Sequence, residues 1–243
     1  MIRQRFYPCP VALAIAVCLM AATAYAQKEK QSSTTTPVPR NAKWWTVRHE
    51  KINAGVKQGN ADLLFIGDSI TQGWEGAGKK VWKKHYGKRN AVNLGISGDR
   101  TQHVLWRLDH GNIDGIAPKA AVLMIGTNNS GSNTSEEITE GVKGVVDKLR
   151  KKLPKTKLLV LAIFPRGIND KDKQRQVNRK SNQFIAKLAD DKMVHYLDIG
   201  QRFLETDGTL SREIMPDLLH LSPKGYSIWA EAIEPTVAKL LDE

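Results

Sequence analysis

Ser69, Asp217 and His220 have the types and settings that acyl-transfer chemistry requires. Ser69 lies in GDSIT, directly after the apolar run Leu63-Leu64-Phe65-Ile66. Asp217 stands three residues before His220 in MPDLLHLSPKGY, ahead of a helix-length segment. A serine hydroxyl, an imidazole and a carboxylate are the nucleophile, general base and orienting group of an acyl-transfer triad. Gly98, in NLGISGDRT, has a bare backbone that can turn an N–H inward, and Asn128, in IGTNNS, carries an amide that can donate. With the Ser69 N–H they are suitable donors to an oxyanion. Each residue alone has a structural reading: a turn at Gly67-Asp68-Ser69, a positive φ at Gly98, a loop amide at Asn128, a packed His220. Turn chemistry does not explain why all of them fall at strand ends or before the final helix.

Rigid elements must bring these groups together. Short apolar runs of four to seven residues recur at Leu63 to Ile66, Ala91 to Leu94, Ala121 to Ile125, Leu158 to Phe164 and Val194 to Ile199, the second interrupted by Asn93 and the last by His195 and Asp198. Runs this short suit strands buried on both faces. Helix-length segments alternate with them: Lys43 to Lys57, Thr101 to Asp109, Ser135 to Leu153, Lys173 to Ala189 and Pro223 to Leu241. Thr134 or Ser135 can cap the third of these, with Glu136 and Glu137 in its first turn and basic residues at its far end. Ser222 and Pro223 start the last. The alternation predicts an α/β fold, a central parallel sheet of about five strands with helices on both sides. In such a fold the loops at the carboxyl ends of the strands form the crevice for chemistry, and Ser69, Gly98 and Asn128 fall there.

The N-terminus predicts export. Arg3 and Arg5 precede an apolar stretch from Val11 to Ala22 and then Ala24-Tyr25-Ala26, the pattern of a secretory signal cut before Gln27. The apolar stretch is too short to span a membrane, and no stable insertion is expected. Both cysteines, Cys9 and Cys18, lie in this segment, so residues 27–243 hold no disulfide or thiolate metal site. Residues 27–40, QKEKQSSTTTPVPR, are polar and hydroxyl-rich and read as a flexible linker. Residues 41–243 then make one domain.

Lys and Arg number 37 against 25 Asp and Glu. Lys79, Lys80, Lys83 and Lys84 enclose a single aromatic residue, Trp82, and Lys148, Arg150, Lys151 and Lys152 enclose none, short of the repeated aromatic interleaving of a single-strand binder, so nucleic acid is not expected. A solvated basic surface is the plain reading; an acidic substrate or envelope polymer is the functional one. His49, His85, His103, His110 and His195 are scattered without metal-ligand spacing. Asp99 and Arg100 either hold the loop of Gly98 or make ordinary loop salt bridges, and Arg166 in FPRG either supports the fold or touches substrate.

In the four blocks GDSIT, NLGISGD, GTNN and DLLH, in this order, the chain resembles the SGNH or GDSL hydrolases, serine esterases and lipases. The resemblance implies a flavodoxin-like three-layer α/β/α sandwich. It also implies Ser69 as nucleophile, Gly98 and Asn128 as oxyanion donors beside the Ser69 N–H, and Asp217 and His220 completing the triad. The longer stretches NLGISGDRTQHVLWRL, GTNNS, FPRG and MPDLLHLSPKGY are similar to the catalytic subunits of intracellular platelet-activating-factor acetylhydrolase, from Trp44 to Leu240. That similarity implies a short-acyl pocket and a homodimer. The export segment and basic balance depart from it. An α/β-hydrolase elbow is excluded, because Thr71 stands where its second glycine would be.

Three classes of function remain. The first is a secreted or periplasmic esterase removing acetyl or another short acyl group from a small ester, lipid or carbohydrate, with no cofactor. The second is an acyltransferase using the same covalent intermediate, and the third a non-catalytic polysaccharide-binding module. A pure binder has no need of all five site residues.

Overall fold

Alternate residues of each central strand feed two different cores. Leu64 and Ile66, Ala121 and Leu123, and Leu158 and Val160 face one; Leu63 and Phe65, Val122 and Met124, and Leu159 and Leu161 face the other. This is the period of two that an extended chain imposes, and it explains why the runs are apolar throughout. The computed structural model describes residues 32–243. The expected export segment lies outside them.

The strands β1 (Leu63–Gly67), β2 (Ala91–Asn93), β3 (Ala120–Met124), β4 (Lys157–Leu161) and β5 (Val194–Leu197) are all parallel, in the order β2-β1-β3-β4-β5. The helices are α1 (Lys43–Val56), α2 (Ser69–Gln72), α3 (Lys79–His85), α4 (Thr101–Leu108), α5 (Ser135–Lys152), α6 (Lys173–Ile185) and α7 (Pro223–Leu241). Apolar residues of α1, α4 and α5 cover the first core, and α7 covers the second. The capping expectations hold: Thr134 and Glu137 form a reciprocal capping box on α5, and Ser222 caps α7 with Pro223 in its first turn. The result is the three-layer α/β/α sandwich anticipated from the alternation of elements.

Two differences are physical. The apolar run after β4 continues through Phe164, but pairing stops at Leu161; Asn182 instead holds Ile163, accepting from its N–H at 2.8 Å and donating to its carbonyl at 2.9 Å. Apolar length reports burial, not pairing. Residues 32–40 of the expected linker belong to the compact unit, which begins at Ser32, and residues 27–31 lie outside the described residues. Thr34 is fully buried, its hydroxyl donating to the Glu137 carbonyl at 2.7 Å and its carbonyl accepting from the Thr101 hydroxyl at 2.9 Å. A hydroxyl-rich segment can dock by hydrogen bonds without apolar area, which composition does not reveal.

Candidate active site

β1 ends at Gly67, where a Cβ would press into the Thr71 hydroxyl and the Met124 carbonyl of the neighbouring strand. The chain can therefore turn tightly into α2. Asp68 caps this helix, Oδ1 accepting from the Ile70 N–H at 3.0 Å. Ser69 is its first residue, so the Ser69 N–H has no acceptor within the helix. Tyr226 of α7 donates its hydroxyl to the Ile70 carbonyl at 2.6 Å and fastens α2 from the other side.

The segment before α7 brings the histidine. Asp217 Oδ1 accepts from the Leu219 and His220 N–H groups at 3.0 and 2.7 Å, and Oδ2 accepts from His220 Nδ1 at 2.6 Å. One carboxylate oxygen thus fixes the turn while the other orients the ring. Leu218, between them, has a φ of 62°, a left-handed conformation that costs a non-glycine residue energy and is found at functional turns. With Nδ1 donating, Nε2 is left to accept, and it lies 2.8 Å from Ser69 Oγ. Partial burial works to raise the Asp217 pKa, but the bonds from the His220 side chain and backbone outweigh it and hold the carboxyl below its usual range. The side chains of His220 and Asp217 are 44% and 55% exposed, so the centre lies on an open surface.

The loop after β2 places Gly98 with a φ of 70°. A side chain there would press into the guanidinium of Arg40, which donates to the Ser97 carbonyl at 2.9 Å. Gln72 Oε1 accepts from the Ser97 N–H at 2.7 Å and ties this loop to α2. Asp99 is completely buried and anchors this loop partly through an ion pair with Arg107, so both expected readings meet in it. It accepts from Trp45 Nε1 at 2.6 Å and from Arg107 Nε at 2.8 Å, while Arg107 also donates to the Gly67 carbonyl at 3.3 Å. Burial pushes the Asp99 pKa up and the Arg107 pKa down, each opposed by the other's charge. Arg100 reaches instead to the Ser132 hydroxyl at 3.2 Å.

After β3, Asn128 Nδ2 donates to the Asp99 carbonyl at 2.9 Å and, more weakly, to Asp68 Oδ2 at 3.3 Å. Asn129 is fully buried, accepting from the Thr101 N–H at 3.1 Å and donating to Gln102 Oε1 at 3.1 Å. Arg166 donates to the Thr127 carbonyl at 3.3 Å, which gives it a supporting role at this loop. The segments of Ser69, Gly98 and Asn128 are thus joined through Asp68, Gln72 and Asp99, and the Asp217–His220 turn meets them at the His220 Nε2 to Ser69 Oγ contact.

The sequence profile of the GDSL-like lipase/acylhydrolase family matches residues 65–228. This chain belongs to that family. The acylhydrolase is 36% identical over 200 residues to platelet-activating factor acetylhydrolase IB subunit alpha1 of Bos taurus, covering 82% of this chain and 84% of that one. It is likewise 36% identical over 203 residues to subunit alpha2 of Rattus norvegicus, covering 82% and 86%. Among solved structures it is similar to a GDSL-like lipase from Bacteroides thetaiotaomicron, with a TM-score of 0.64 and 20% identity over 79% of this chain and 97% of that one. A carbohydrate acetylesterase family member from Sinorhizobium meliloti gives a TM-score of 0.59 and 16% identity over 75% and 100%. These two likenesses concern the fold.

Asp68 is the site residue that sequence reasoning passed over. It reads as a turn former in GDSIT, yet in this acylhydrolase it is wholly buried behind Ser69. Burial, more than any other influence, raises its pKa to about 7; the Ile70 N–H opposes this and the Asp99 charge adds to it. An acidic residue directly after a buried strand was the available clue.

Proposed function

We propose that the protein is an exported serine esterase that hydrolyses short acyl esters, acetyl above all, carried on carbohydrate. Ser69 is the nucleophile, His220 the general base and Asp217 the group that orients His220. Ser69 Oγ attacks the ester carbonyl carbon while its proton passes to His220 Nε2. The tetrahedral oxyanion is held by the N–H groups of Ser69 and Gly98 and by the Asn128 amide. Its collapse expels the alcohol, which takes the proton from His220 and leaves an acyl-Ser69. Water then attacks that acyl group with His220 again as base, the carboxylic acid departs and Ser69 Oγ–H is restored.

The observation that carries this reading is the unbroken line Asp217 Oδ2, His220 Nδ1, His220 Nε2, Ser69 Oγ, with links of 2.6 and 2.8 Å. Short acyl groups are favoured because relatives at 36% identity are named acetylhydrolases. A polymer-borne ester is favoured by the exposure of His220 and Asp217, since an open centre admits a bulky alcohol side. Export rests on the N-terminal pattern of Arg3, Arg5 and the apolar stretch after them.

The test is turnover of p-nitrophenyl esters from acetyl to octanoyl, with acetylated xylan and a phospholipid acetate, by the wild-type protein and Ser69→Ala. Activity should fall steeply with acyl length, favour xylan over the phospholipid, and vanish in the variant. Unchanged turnover in Ser69→Ala removes the nucleophile assignment; a preference for octanoyl removes the short-acyl one.

A further inference from the structure

Two arginines hold the loop after β2 by its carbonyls, and the peptides they hold differ at the other end. Arg48 Nε donates to the Gly95 carbonyl at 2.7 Å. The N–H of that peptide belongs to Ile96 and donates to the Gly67 carbonyl at 3.2 Å, so both ends serve the fold. Arg40 Nη1 donates to the Ser97 carbonyl at 2.9 Å. The N–H of this peptide belongs to Gly98, which is only half-buried, and it has no acceptor among the described residues. Ser97 and Gly98 are also the central residues of a β-turn, closed by the Asp99 N–H on the Ile96 carbonyl at 3.2 Å. Gly98 has a φ of 70°, whereas Ser97 lies outside the positive-φ region, and this combination is a type II turn.

Types I and II differ by a rotation of roughly half a turn of the peptide between the two central residues, which reverses its carbonyl and its N–H together. Glycine in third place allows either. The orientation is therefore set by what holds the carbonyl. A trans peptide is planar with its C=O and N–H pointing opposite ways, so a donor fixed on the Ser97 oxygen fixes the direction of the Gly98 N–H. Arg40 is itself held, with its guanidinium 5.1 Å from the Trp44 ring centroid and the nearby Val38 N–H donating to the Gln102 carbonyl at 3.3 Å. A charged donor on the carbonyl also polarises the peptide and makes its N–H a stronger donor. We propose that Arg40 is a positioning residue of the oxyanion site, holding and polarising the Ser97–Gly98 peptide so that the Gly98 N–H meets the developing oxyanion. This deepens the proposed function and rests on it, since Ser69 must be the nucleophile and Gly98 an oxyanion donor. The docked segment 32–40 thereby takes part in turnover.

Steady-state hydrolysis of p-nitrophenyl acetate by the wild type, Arg40→Met, Arg40→Gln and Arg48→Met tests this, together with nitrogen-edited NOE spectra of the same proteins. Arg40→Met should lower kcat about 10- to 10²-fold, less than the loss of a whole oxyanion donor, with KM within about twofold. Guanidinium chloride at a non-denaturing millimolar concentration should restore part of the rate, and sodium chloride should not. The strong Ser97 Hα to Gly98 N–H cross-peak of a type II turn should give way to one between the two N–H groups. Arg40→Gln, a shorter and neutral donor, should show the same loss of kcat and serves if Arg40→Met fails to fold. Arg48→Met should lose stability with kcat largely kept, because its peptide has no N–H to offer. Arg40 loses this role if a folded Arg40 variant keeps kcat, if the cross-peaks do not change, or if Arg48→Met loses as much kcat. The proposed function fails by a different result, wild-type turnover in Ser69→Ala.

Discussion

Asn128 Nδ2 lies 3.3 Å from Asp68 Oδ2, and its shorter bond, 2.9 Å, goes to the Asp99 carbonyl. An amide nitrogen has two protons, and here each faces an acceptor. The proposed oxyanion bond from Asn128 must therefore replace the longer contact, to Asp68. The Asp99 bond then serves as the pivot that keeps the amide in place. Asp68 is thus linked both to Ser69, through the cap of α2, and to Asn128, the proposed oxyanion donor.

Asn128→Ala should lower kcat by about 10²- to 10³-fold while KM moves little, since a bond made to the developing oxyanion matters mainly in the transition state. Asn129→Ala should behave oppositely. Its oxygen accepts from the buried Thr101 N–H, and losing it should cost about 1 to 3 kcal/mol of stability with kcat largely kept. Steady-state kinetics and thermal melts of both variants decide the matter. A larger kcat loss in Asn129→Ala would overturn the assignment of the donor.

Asp68 predicts a pH dependence of stability. Its folded pKa of about 7 stands above the ordinary 3.8, so between these values the folded protein binds the extra proton. Stability from this group is complete below about pH 4, declines as pH rises through 7, and is level above it, a change on the order of 4 kcal/mol at most. Asp68→Asn cannot titrate. The difference in unfolding free energy between wild type and variant, measured by denaturant at several pH values from 4 to 8, should therefore shift in favour of Asp68→Asn as pH rises. A difference flat across that range would contradict the raised pKa.

The pair Asp99 and Arg107 predicts a packing effect at a distance from the chemistry. Both side chains are fully buried, and Arg107 also reaches the Gly67 carbonyl at the end of β1. Arg107→Met leaves the Asp99 carboxylate buried and uncompensated and should cost about 3 to 5 kcal/mol. Asp99→Leu combined with Arg107→Met should recover much of that loss, short of the bonds orphaned at Trp45 Nε1, Asn112 Oδ1 and the Gly67 carbonyl. Denaturant unfolding of the single and double variants measures it. An equal loss in both would show that the charge of Asp99 is not the cause.

What the sequence made legible followed from local rules. The central strands could be read because parallel strands covered on both faces must be apolar at every position, as Leu63 to Ile66 are. The Asp217–His220 pairing could be read because a spacing of three lets one carboxylate serve both the turn and the ring. α2 was hidden, since four residues carry no helical period and Gly-Asp-Ser reads as a turn. The burial of Asp68, the docking of Thr34 and the position of Arg40 over Gly98 were hidden for a different reason. Each depends on which distant segment covers the residue, and neither composition nor periodicity encodes that. The open setting of His220 belongs with these.

Asp217 offers the sharpest separation of chemistry from support, because its two oxygens have different tasks. Asp217→Asn keeps a carbonyl oxygen to accept from the Leu219 and His220 N–H groups, so the turn should survive with little change in melting temperature. The amide it places at Oδ2 donates where the carboxylate accepted. His220 then turns its proton to Nε2, which can no longer take one from Ser69. The expected loss in kcat is about 10⁴-fold, the size seen when a triad acid is replaced by its amide. Asp217→Ala removes both tasks, and should add a lower melting temperature to a similar loss of rate. If Asp217→Asn kept its rate while Asp217→Ala lost stability, the carboxylate would be a turn residue and the orienting role would have to be given up.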